Sequence, residues 1–426
     1  MKVVICGAGI AGLTLANRVS VLGGEVVLLE RAPGPRSQGY MIDFFGPGYD
    51  AVEAMGLLPR IEEVAYHVDE ASLVDEYGRR RAGVQPAQFA NVPLLSIMRP
   101  DLERVLREAL PPQVDLRFGT GPVAVVDSGD GVRVTLDDGG ELEADLLVGA
   151  DGIHSTVRRL VFGDEARFLR YLGFHTAAFS FDAPEIHAAV QHRFCLTDTV
   201  DRQMGFYALR NGRVAAFAVH RMPDPTLPDD VRAAVREAYR GLGWLVPEAL
   251  DRCPPPAEIY YDQVAQIEMP SWSTGRVVLV GDACYAVSLL AGQGASLGIA
   301  GAYLLADQLA RAPSIGQALL TYETLWRPVV EDKQQAGRAA ARWFLPTSVL
   351  QLRIRRAALR MMRLPVINRY VAAILAGKST ALITNLHQAG GAPQPTGAEP
   401  SREESHEPAS SRPGHTPAVP GARPVV

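Results

Sequence analysis

Cysteine is scarce in this chain of 426 residues, and the four cysteines, Cys6, Cys195, Cys253 and Cys284, lie far apart. None forms a Cys-x-x-Cys pair, which argues against a zinc site or a disulfide framework and indicates a reducing compartment. No apolar run reaches the ~18 residues that a membrane-spanning helix needs. The chain opens on a strand pattern rather than a signal peptide. We therefore expect a cytoplasmic protein with no metal site and no transmembrane segment.

A strong net charge is also missing. The chain has 42 Lys and Arg against 47 Asp and Glu, for a net charge of −5. This balance gives no electrostatic reason for binding nucleic acid. Apolar residues make up 47% of the chain, which is ordinary for a globular protein with a sizeable core. At about 100–200 residues per domain, the length allows two or three domains.

The first thirty residues follow the order strand, tight turn, helix, strand, and the turn matches the pattern GxGxxG. Gly7 permits the turn, Gly9 lets backbone amides approach a pyrophosphate, and Gly12 lets the helix pack closely on the sheet. Glu30 ends the second strand, where a carboxylate accepts ribose hydroxyls and repels a 2′-phosphate. The pattern predicts NAD or FAD at a site formed by Gly7, Gly9, Ile10, Ala11, Gly12, Glu30 and Arg31.

Two later stretches repeat an acid–glycine pair after an apolar strand. "ADLLVGADGIHSTVRR" (144–159) contains Asp151-Gly152, and "GRVVLVGDACYAVSLLAGQGASLG" (275–298) contains Gly281-Asp282. With the first glycine motif, and in this order, they resemble the flavoprotein monooxygenases of the para-hydroxybenzoate hydroxylase type (group A). The resemblance covers roughly residues 1–380. It implies that the dinucleotide is FAD.

The resemblance also implies roles for single residues. Asp282 would hydrogen-bond the ribityl chain, Arg99 would hold FAD near its pyrophosphate and ribityl region, and Asp151 would serve both FAD and a passing NADPH. The neutral helix start at Gly292, Gly294, Ala295 and Ser296 would turn its amides toward the flavin pyrimidine, where reduced flavin is negative. Arg36 and Gln38 would approach the flavin ring.

In this family NADPH or NADH reduces FAD, and O₂ then forms a C4a-hydroperoxyflavin that transfers oxygen to the substrate. The resemblance implies a single-component monooxygenase that hydroxylates an aromatic, polyketide-like or related hydrophobic small molecule. No catalytic side chain is assigned, and the sequence does not indicate the oligomeric state. Baeyer–Villiger oxygenation on the same scaffold stays open. A flavin-dependent halogenase is less favoured, because Trp244 in "GLGWLVPEAL" does not form a WxWxIP motif, and a prenyl reductase is likewise less favoured.

Three positions depart from the family pattern. Tyr285 replaces a His, Ser288-Leu289 replaces a Pro-Pro pair, and Ser296 replaces an Asn. Because the prolines shape the loop beside the reactive flavin carbon, their loss keeps open a flavin-binding protein without turnover. Tyr285 either packs in the core or lines the substrate channel.

The fold expected is α/β, with a Rossmann-like FAD-binding domain interrupted by a β-rich substrate domain and followed by a long C-terminal helical segment. The FAD-binding domain takes residues 1–72, 99–165 and 270–340, and the substrate domain takes 73–98 and 166–269. Asn211-Gly212 predicts a hairpin in the insertion. C-terminal helices take 341–387, and the tail 388–426, rich in Pro, Gly, Ser and Glu, is predicted to be disordered.

Two sets of side chains are left with alternative interpretations. Five aromatic residues on insertion strands can face either a pocket or the core: Phe179, Phe181, Phe194, Phe206 and Tyr207. We expect His192 and His220 to be structural. Arg353, Arg356, Arg360 and Arg363 form a basic helix face that is solvated or packs across the two domains, with membrane association as the alternative.

Overall fold

The computed structural model describes residues 1–36, 38–85, 94–289, 292–361 and 382–390. In chain order its strands are β1 (Lys2–Cys6), β2 (Glu25–Glu30), β3 (Met41–Phe44), β4 (Ala65–Tyr66), β5 (Glu70–Val74), β6 (Arg80–Val84), β7 (Leu95–Met98), β8 (Asp115–Phe118), β9 (Pro122–Asp127), β10 (Val132–Leu136), β11 (Glu141–Ala144), β12 (Leu146–Gly149), β13 (Leu169–Phe181), β14 (Arg193–Thr197), β15 (Arg202–Ala208), β16 (Val214–Arg221), β17 (Tyr260–Ile267), β18 (Ser273–Thr274) and β19 (Val277–Leu279). The helices are α1 (Ile10–Val21), α2 (Pro47–Ala54), α3 (Leu58–Val64), α4 (Arg99–Glu108), α5 (Thr156–Val161), α6 (Pro184–Val190), α7 (Val231–Ala238), α8 (Val246–Asp251), α9 (Asp282–Tyr285), α10 (Gly294–Arg311), α11 (Ile315–Phe344), α12 (Val349–Met361) and α13 (Leu382–Gly390).

A six-stranded sheet in the order β18-β19-β12-β1-β2-β8 forms the centre of the Rossmann-like domain. Its strands are parallel from β19 to β8, with Val3 of β1 level with Val26 on one side and Leu146 on the other. Continuous runs such as Val3–Ile5 are fully buried, since a parallel sheet is covered on both faces. The carboxyl ends of β1, β2, β12 and β19 therefore meet at one edge, where open α/β sheets bind their ligands.

A seven-stranded sheet in the order β17-β13-β16-β15-β14-β5-β6 forms the β-rich insertion. The hairpin predicted at Asn211-Gly212 is confirmed: β15 and β16 pair in antiparallel register, and Gly212 has φ +80°. One face of the sheet packs on α6, α7 and α8 in a core of its own. The opposite face carries residues that contact the Rossmann-like domain.

Two of the predicted boundaries of the insertion need correction. The boundary at residue 73 falls inside β5, which starts at Glu70 and pairs in parallel with β14. Strand β7, assigned to the insertion, instead pairs with β3 and β4 in a small separate sheet. A strand pattern does not reveal the partner strand, because both sheets accept the same alternation of side chains.

The C-terminal part is helical, with α11 running over 30 residues through Pro328. We predicted a disordered tail from residue 388, whereas α13 continues to Gly390. The rest of that tail, 391–426, and Arg363 lie outside the described residues. Across the ranges that the structure describes, no helix combines the length and apolarity needed to span a membrane.

Candidate functional site

The first glycine motif forms the turn between β1 and α1. Gly7 has φ +104°, and a Cβ there would lie 2.5 Å from the carbonyl oxygen of Ala150 at the end of β12. A Cβ on Gly12 would lie 1.9 Å from the Gly7 oxygen, so neither position accepts a side chain. A Cβ on Gly9 would meet nothing closer than Glu103 at 3.9 Å, so a ligand can approach the backbone closely at this position. The turn therefore presents backbone donors where an anion can approach them.

The side chains of two other predicted residues face inward. Ile10 is buried, and Ala11 packs close to Gly281 and Gly298. Only the backbone amides of Ile10 and Ala11 are therefore available to a ligand.

Glu30, at the end of β2, is held beside this turn. Its carboxylate accepts hydrogen bonds from the amides of Ala8, at 3.0 Å, and Ala32, at 2.8 Å. Arg36 approaches it at 4.0 Å, and the exposed Arg31 follows it directly. Gln38 lies elsewhere, donating across to the Ala257 carbonyl of the insertion at 2.6 Å.

A cavity of about 300 Å³ opens beside the Gly7–Gly9 turn and Glu30. Its lining includes five arginines, which outnumber the four carboxylates beside them: Arg31, Arg36, Arg99, Arg107 and Arg159 against Glu30, Glu103, Asp137 and Asp151. An elongated ligand with a diphosphate fits this combination of cations, an open glycine turn and a carboxylate of the kind that accepts ribose hydroxyls. The residues present therefore fit the adenosine diphosphate half of FAD.

Arg99 opens α4 between the cavity and the insertion. Its backbone amide donates to the Tyr40 carbonyl at 3.1 Å, and its Nε donates to Glu103 at 3.0 Å. Burial opposes the charge, but Glu103, with Tyr40, Tyr260 and Asp282, raises the pKa of the guanidinium above its ordinary value. Arg99 is thus a fixed cation beside Asp282.

Asp151 acts as a cap for α5. Its carboxylate accepts from the Ser155 hydroxyl at 2.5 Å and from the amides of Thr156 and Val157 at 2.7 and 3.0 Å. Burial raises the pKa of this carboxyl, while these hydrogen bonds lower it. Because the carboxylate is engaged in the cap, its neighbouring backbone rather than its side chain is available to a ligand.

Arg158, fully buried, joins the two acid–glycine motifs. It donates to the carbonyls of Ile153, at 2.7 Å, and Ala283, at 2.8 Å, and to Glu165 at 2.7 Å. Asp282 and Asp151 are therefore held in a fixed relation by one guanidinium.

Asp282 opens α9 after Gly281, whose φ is +68°. Its Oδ1 lies 3.7 Å from the position of a Cβ on Gly294, the first residue of α10. Burial raises the pKa of the Asp282 carboxyl, and the Arg99 charge lowers it. No described side chain or amide hydrogen-bonds this carboxylate. An acceptor and a helix N-terminus with no acid in its first turn thus lie side by side.

The other residues of this helix start have different surroundings. Gly292 has φ +64° just before α10, and Ala295 packs against the main core. The Ser296 hydroxyl donates to the Phe45 carbonyl at 2.5 Å and accepts from the Gly48 amide at 2.9 Å. Its side chain therefore joins α10 to the start of α2, and only its amide is left for a ligand.

The departures from the family pattern separate into two groups. Tyr285 is buried with its ring 4.9 Å from that of Trp272 and its hydroxyl 3.5 Å from that of Tyr322, so it packs in the core. Ser288 has φ +78°, a strained backbone for a residue other than glycine. Leu289 packs toward the insertion with Phe217 and Phe344. The loop that lacks Pro-Pro therefore contains a residue with left-handed backbone and packs toward the insertion through Leu289.

The aromatic side chains of the insertion fall on opposite faces of its sheet. Phe179, Phe181 and Phe206 pack away from the Rossmann-like domain, under the helices of the insertion. Phe194 and Tyr207 pack toward it, and the Tyr207 hydroxyl accepts from the Met41 amide at 2.8 Å.

Tyr40 from the Rossmann-like domain completes this aromatic surface. Its ring lies 5.4 Å from both Phe217 of β16 and Tyr260 of β17. Burial raises the pKa of the Tyr40 phenol, and the Arg99 charge opposes that shift. Three rings from the two domains thus meet next to Arg99 and Asp282.

Sequence reasoning missed His154, which bridges the two domains. Its Nδ1 lies 3.0 Å from Glu165, and its Nε2 lies 3.1 Å from Asp262 of β17. Asp262, assisted by Glu165 and opposed by partial burial, raises the pKa of His154 to about 9. The sequence signal was its place inside the Asp151-Gly152 motif, but its partner on β17 is more than a hundred residues away. His220, expected to be structural, is buried with Nδ1 3.0 Å from the Tyr239 hydroxyl.

Comparison with known proteins agrees with this geometry. Residues 1–336 match a family model described as FAD binding domain. An uncharacterized protein of Mycobacterium tuberculosis is 37% identical over 320 residues, covering 73% of this chain and 85% of the relative. A flavin-dependent monooxygenase of Legionella longbeachae is 28% identical over 353 residues, covering 81% and 90%.

Solved structures show the same architecture. The crystal structure of tetracycline destructase Tet(51) superposes with a TM-score of 0.75 at 26% identity, covering 86% of this chain and 97% of that one. Klebsiella pneumoniae HpxO, solved with FAD and uric acid, has a TM-score of 0.72 at 22% identity, covering 88% and 97%, and shares the fold. The chain belongs to the FAD binding domain family and is an FAD-dependent monooxygenase, with FAD as its cofactor and O₂ as its co-substrate.

Proposed function

We propose that the chain takes electrons from NADPH or NADH and hydroxylates a hydrophobic aromatic or polyketide-like small molecule. One observation carries the substrate class: the rings of Tyr40, Phe217 and Tyr260 meet beside Arg99 and Asp282. Aromatic walls with a few fixed polar groups are typical of sites for apolar ligands. The similarity to a tetracycline destructase supports a polycyclic substrate.

The site residues are proposed to divide the cofactor between them. The turn of Gly7, Gly9, Ile10, Ala11 and Gly12, with Glu30, Arg31 and Arg36, would bind the adenosine diphosphate half. Arg99 and the backbone at Asp151, which line the same cavity, would continue toward the flavin half, and Asp282 with the amides of Gly292, Gly294, Ala295 and Ser296 would bind that half, with Gln38 at the border of the insertion. Bound FAD supplies the electron transfer and the activation of O₂.

The chain's own residues then orient the substrate and shield it from water. Arg99 and the start of α10 offer positive potential to an anionic ring, and they are already fixed before the substrate arrives. Tyr40, Phe217 and Tyr260 exclude water from the same region, which strengthens these electrostatic interactions. We assign no general base, since a phenol can ionise by itself. We also propose the cytoplasm as the location, because the four cysteines are free and buried.

The test is anaerobic reduction of the purified, flavin-loaded protein by NADPH and by NADH, followed at the visible flavin band. Bleaching that a phenolic or polycyclic candidate accelerates, followed in air by a hydroxylated product, supports the proposal. A product that carries an ester oxygen inserted beside a ketone carbonyl would show Baeyer–Villiger oxygenation instead. Flavin that neither nicotinamide bleaches, with or without candidates, would contradict turnover and favour a flavin-binding protein or a halogenase.

A further inference from the structure

Helix α12 turns Leu352, Arg355 and Arg356 toward the protein and leaves other apolar side chains outside. Arg355 and Arg356 each contact the Asp198 carboxylate of the insertion at 2.5 Å, and the Asp198 side chain is fully buried. Leu350 and Ile354, one turn apart on the opposite side, are 67% and 52% exposed. A helix on the surface of a globular protein normally buries its apolar stripe. The inward face of α12 therefore combines Leu352 with an ion cluster, whereas Leu350 and Ile354 remain exposed.

The exposed stripe belongs to a larger patch. Val349 is 59% exposed, and Trp343, in the last turn of α11, is 69% exposed. Single exposed apolar residues are ordinary, but four large ones within twelve residues of the chain are a concentration that marks an interaction surface. We call Trp343, Val349, Leu350 and Ile354 the α12 patch.

The charged side chains of the α11–α12 segment beside the α12 patch are of one sign, and nearby Asp201, whose amide donates to the Pro346 carbonyl at 2.9 Å, is paired with Arg221. Arg342 and Arg353 are exposed beside it. In the sequence no Asp or Glu occurs between Asp332 and Glu399, while ten Lys or Arg do. The patch therefore combines aliphatic side chains, a tryptophan and two arginines that have no acidic partner among the described residues.

These features discriminate between partners. A second copy docking through the same patch would bring two Arg342–Arg353 pairs together with no acid to oppose them. A bound peptide helix needs a groove, whereas α12 is a convex helix surface. An anionic bilayer satisfies every component: aliphatic side chains enter the acyl boundary, tryptophan lies at the interface, and arginines meet the headgroups.

We propose that the α12 patch binds the surface of a bilayer that contains anionic phospholipid. The contact is peripheral, since Arg355 and Arg356 keep α12 on the insertion through Asp198. It does not depend on the identity of the substrate, so its failure leaves the proposed oxygenation untouched.

The experiment is co-sedimentation of the flavin-loaded full chain with vesicles of phosphatidylglycerol and phosphatidylcholine, and with vesicles of phosphatidylcholine alone. We expect binding to the anionic vesicles only, weakened by raising the salt concentration. The double variant Leu350→Ser/Ile354→Ser should lower the partition coefficient at least tenfold. Arg353→Gln should lower it about fivefold, the loss that one cation near an anionic surface produces.

Matched controls come from the edge strand β9 and from β10. Val123→Ser/Val126→Ser removes two apolar residues of similar exposure, 52% and 60%, and Arg133→Gln removes an exposed arginine. Neither should change vesicle binding. Quenching of Trp343 fluorescence by brominated lipid, measured as the difference between the wild type and Trp343→Phe, tests the contact without disturbing α12.

Three results would overturn the proposal. In the first, the wild type fails to pellet with anionic vesicles. In the second, the β9 control variant loses vesicle binding as much as the α12 variants do. In the third, sedimentation velocity without lipid shows a dimer that Leu350→Ser/Ile354→Ser dissociates, which would make the patch an interface between copies.

Discussion

The Glu30 carboxylate accepts a hydrogen bond from the Ala8 amide at 3.0 Å, which joins the end of β2 to the glycine turn after β1. The residue proposed to bind ribose thus also orders the turn proposed to bind the diphosphate. A carboxylate that performs both tasks is fixed before the ligand arrives, so little conformational entropy is lost on binding.

Glu30→Gln should therefore weaken FAD binding without unfolding the protein. The amide side chain keeps one acceptor and loses the charge, at a cost of about 1.5–3 kcal/mol, or ~10- to 100-fold in Kd. Titration of the apoprotein with FAD, followed by quenching of flavin fluorescence, measures this. Glu25→Gln is the control, because Glu25 lies at the other end of β2, 65% exposed and paired only with Lys2. Equal FAD affinities of Glu30→Gln and Glu25→Gln would show that the Glu30 charge does not contribute to FAD binding.

Asp282→Ala should purify with little FAD. The carboxylate has no hydrogen-bonding partner among the described residues, and burial raises its pKa, so its removal costs the apoprotein little. We expect an unchanged or slightly higher Tm for the apoprotein and a large loss of bound flavin in the visible spectrum. Normal flavin content in Asp282→Ala would contradict the proposed role.

Asp198→Asn should destabilise the fold. The change leaves Arg355 and Arg356 facing a neutral amide at a fully buried position, and breaking a buried ion pair costs about 3–5 kcal/mol. Thermal unfolding followed by circular dichroism tests this. In the control Asp182→Asn, an 84% exposed carboxylate 3.5 Å from Arg213 is removed, and we expect a change of at most about 1 kcal/mol. Similar Tm values for the two variants would show that α12 is not held through Asp198.

The His154 bridge should make stability depend on pH on the alkaline side. Asp262, assisted by Glu165, raises the pKa of His154 to about 9, above the 6.5 of a free histidine. The stabilisation is complete below about pH 6.5 and is lost as the pH rises through about 9. The difference in Tm between the wild type and His154→Gln should therefore be largest near pH 6 and shrink toward pH 10.

His67→Gln is the control for this series. His67 pairs with Asp69 at 2.8 Å, but its side chain is 83% exposed, so the pair contributes little. A Tm difference for His154→Gln that stays constant from pH 6 to pH 10 would show that the bridge does not require the protonated imidazole.

The glycine turn after β1 could be predicted from the sequence. The spacing of Gly7, Gly9 and Gly12 after an apolar strand predicts a turn that only glycine can form, and the structure contains it. The structure then brings Glu30, Asp151 and Asp282 to one edge, because each follows a strand of the same parallel sheet. The prediction of the turn is confirmed, because the cause of the turn acts within a few residues.

Tertiary structure decided strand pairing, the orientation of the insertion sheet and the contacts of α12, since these depend on partners distant in the chain. The alternation of side chains in β14, β15 and β16 could not say which face meets Tyr40, and the pattern of β7 could not say that it pairs with β3. Nor could the spacing of arginines in α12 reveal that Asp198, far earlier in the chain, binds two of them. Sequence by itself determined the family and its cofactor, because these rest on local backbone geometry. Packing between the two domains decided which side chains face the substrate region and which face of α12 is exposed.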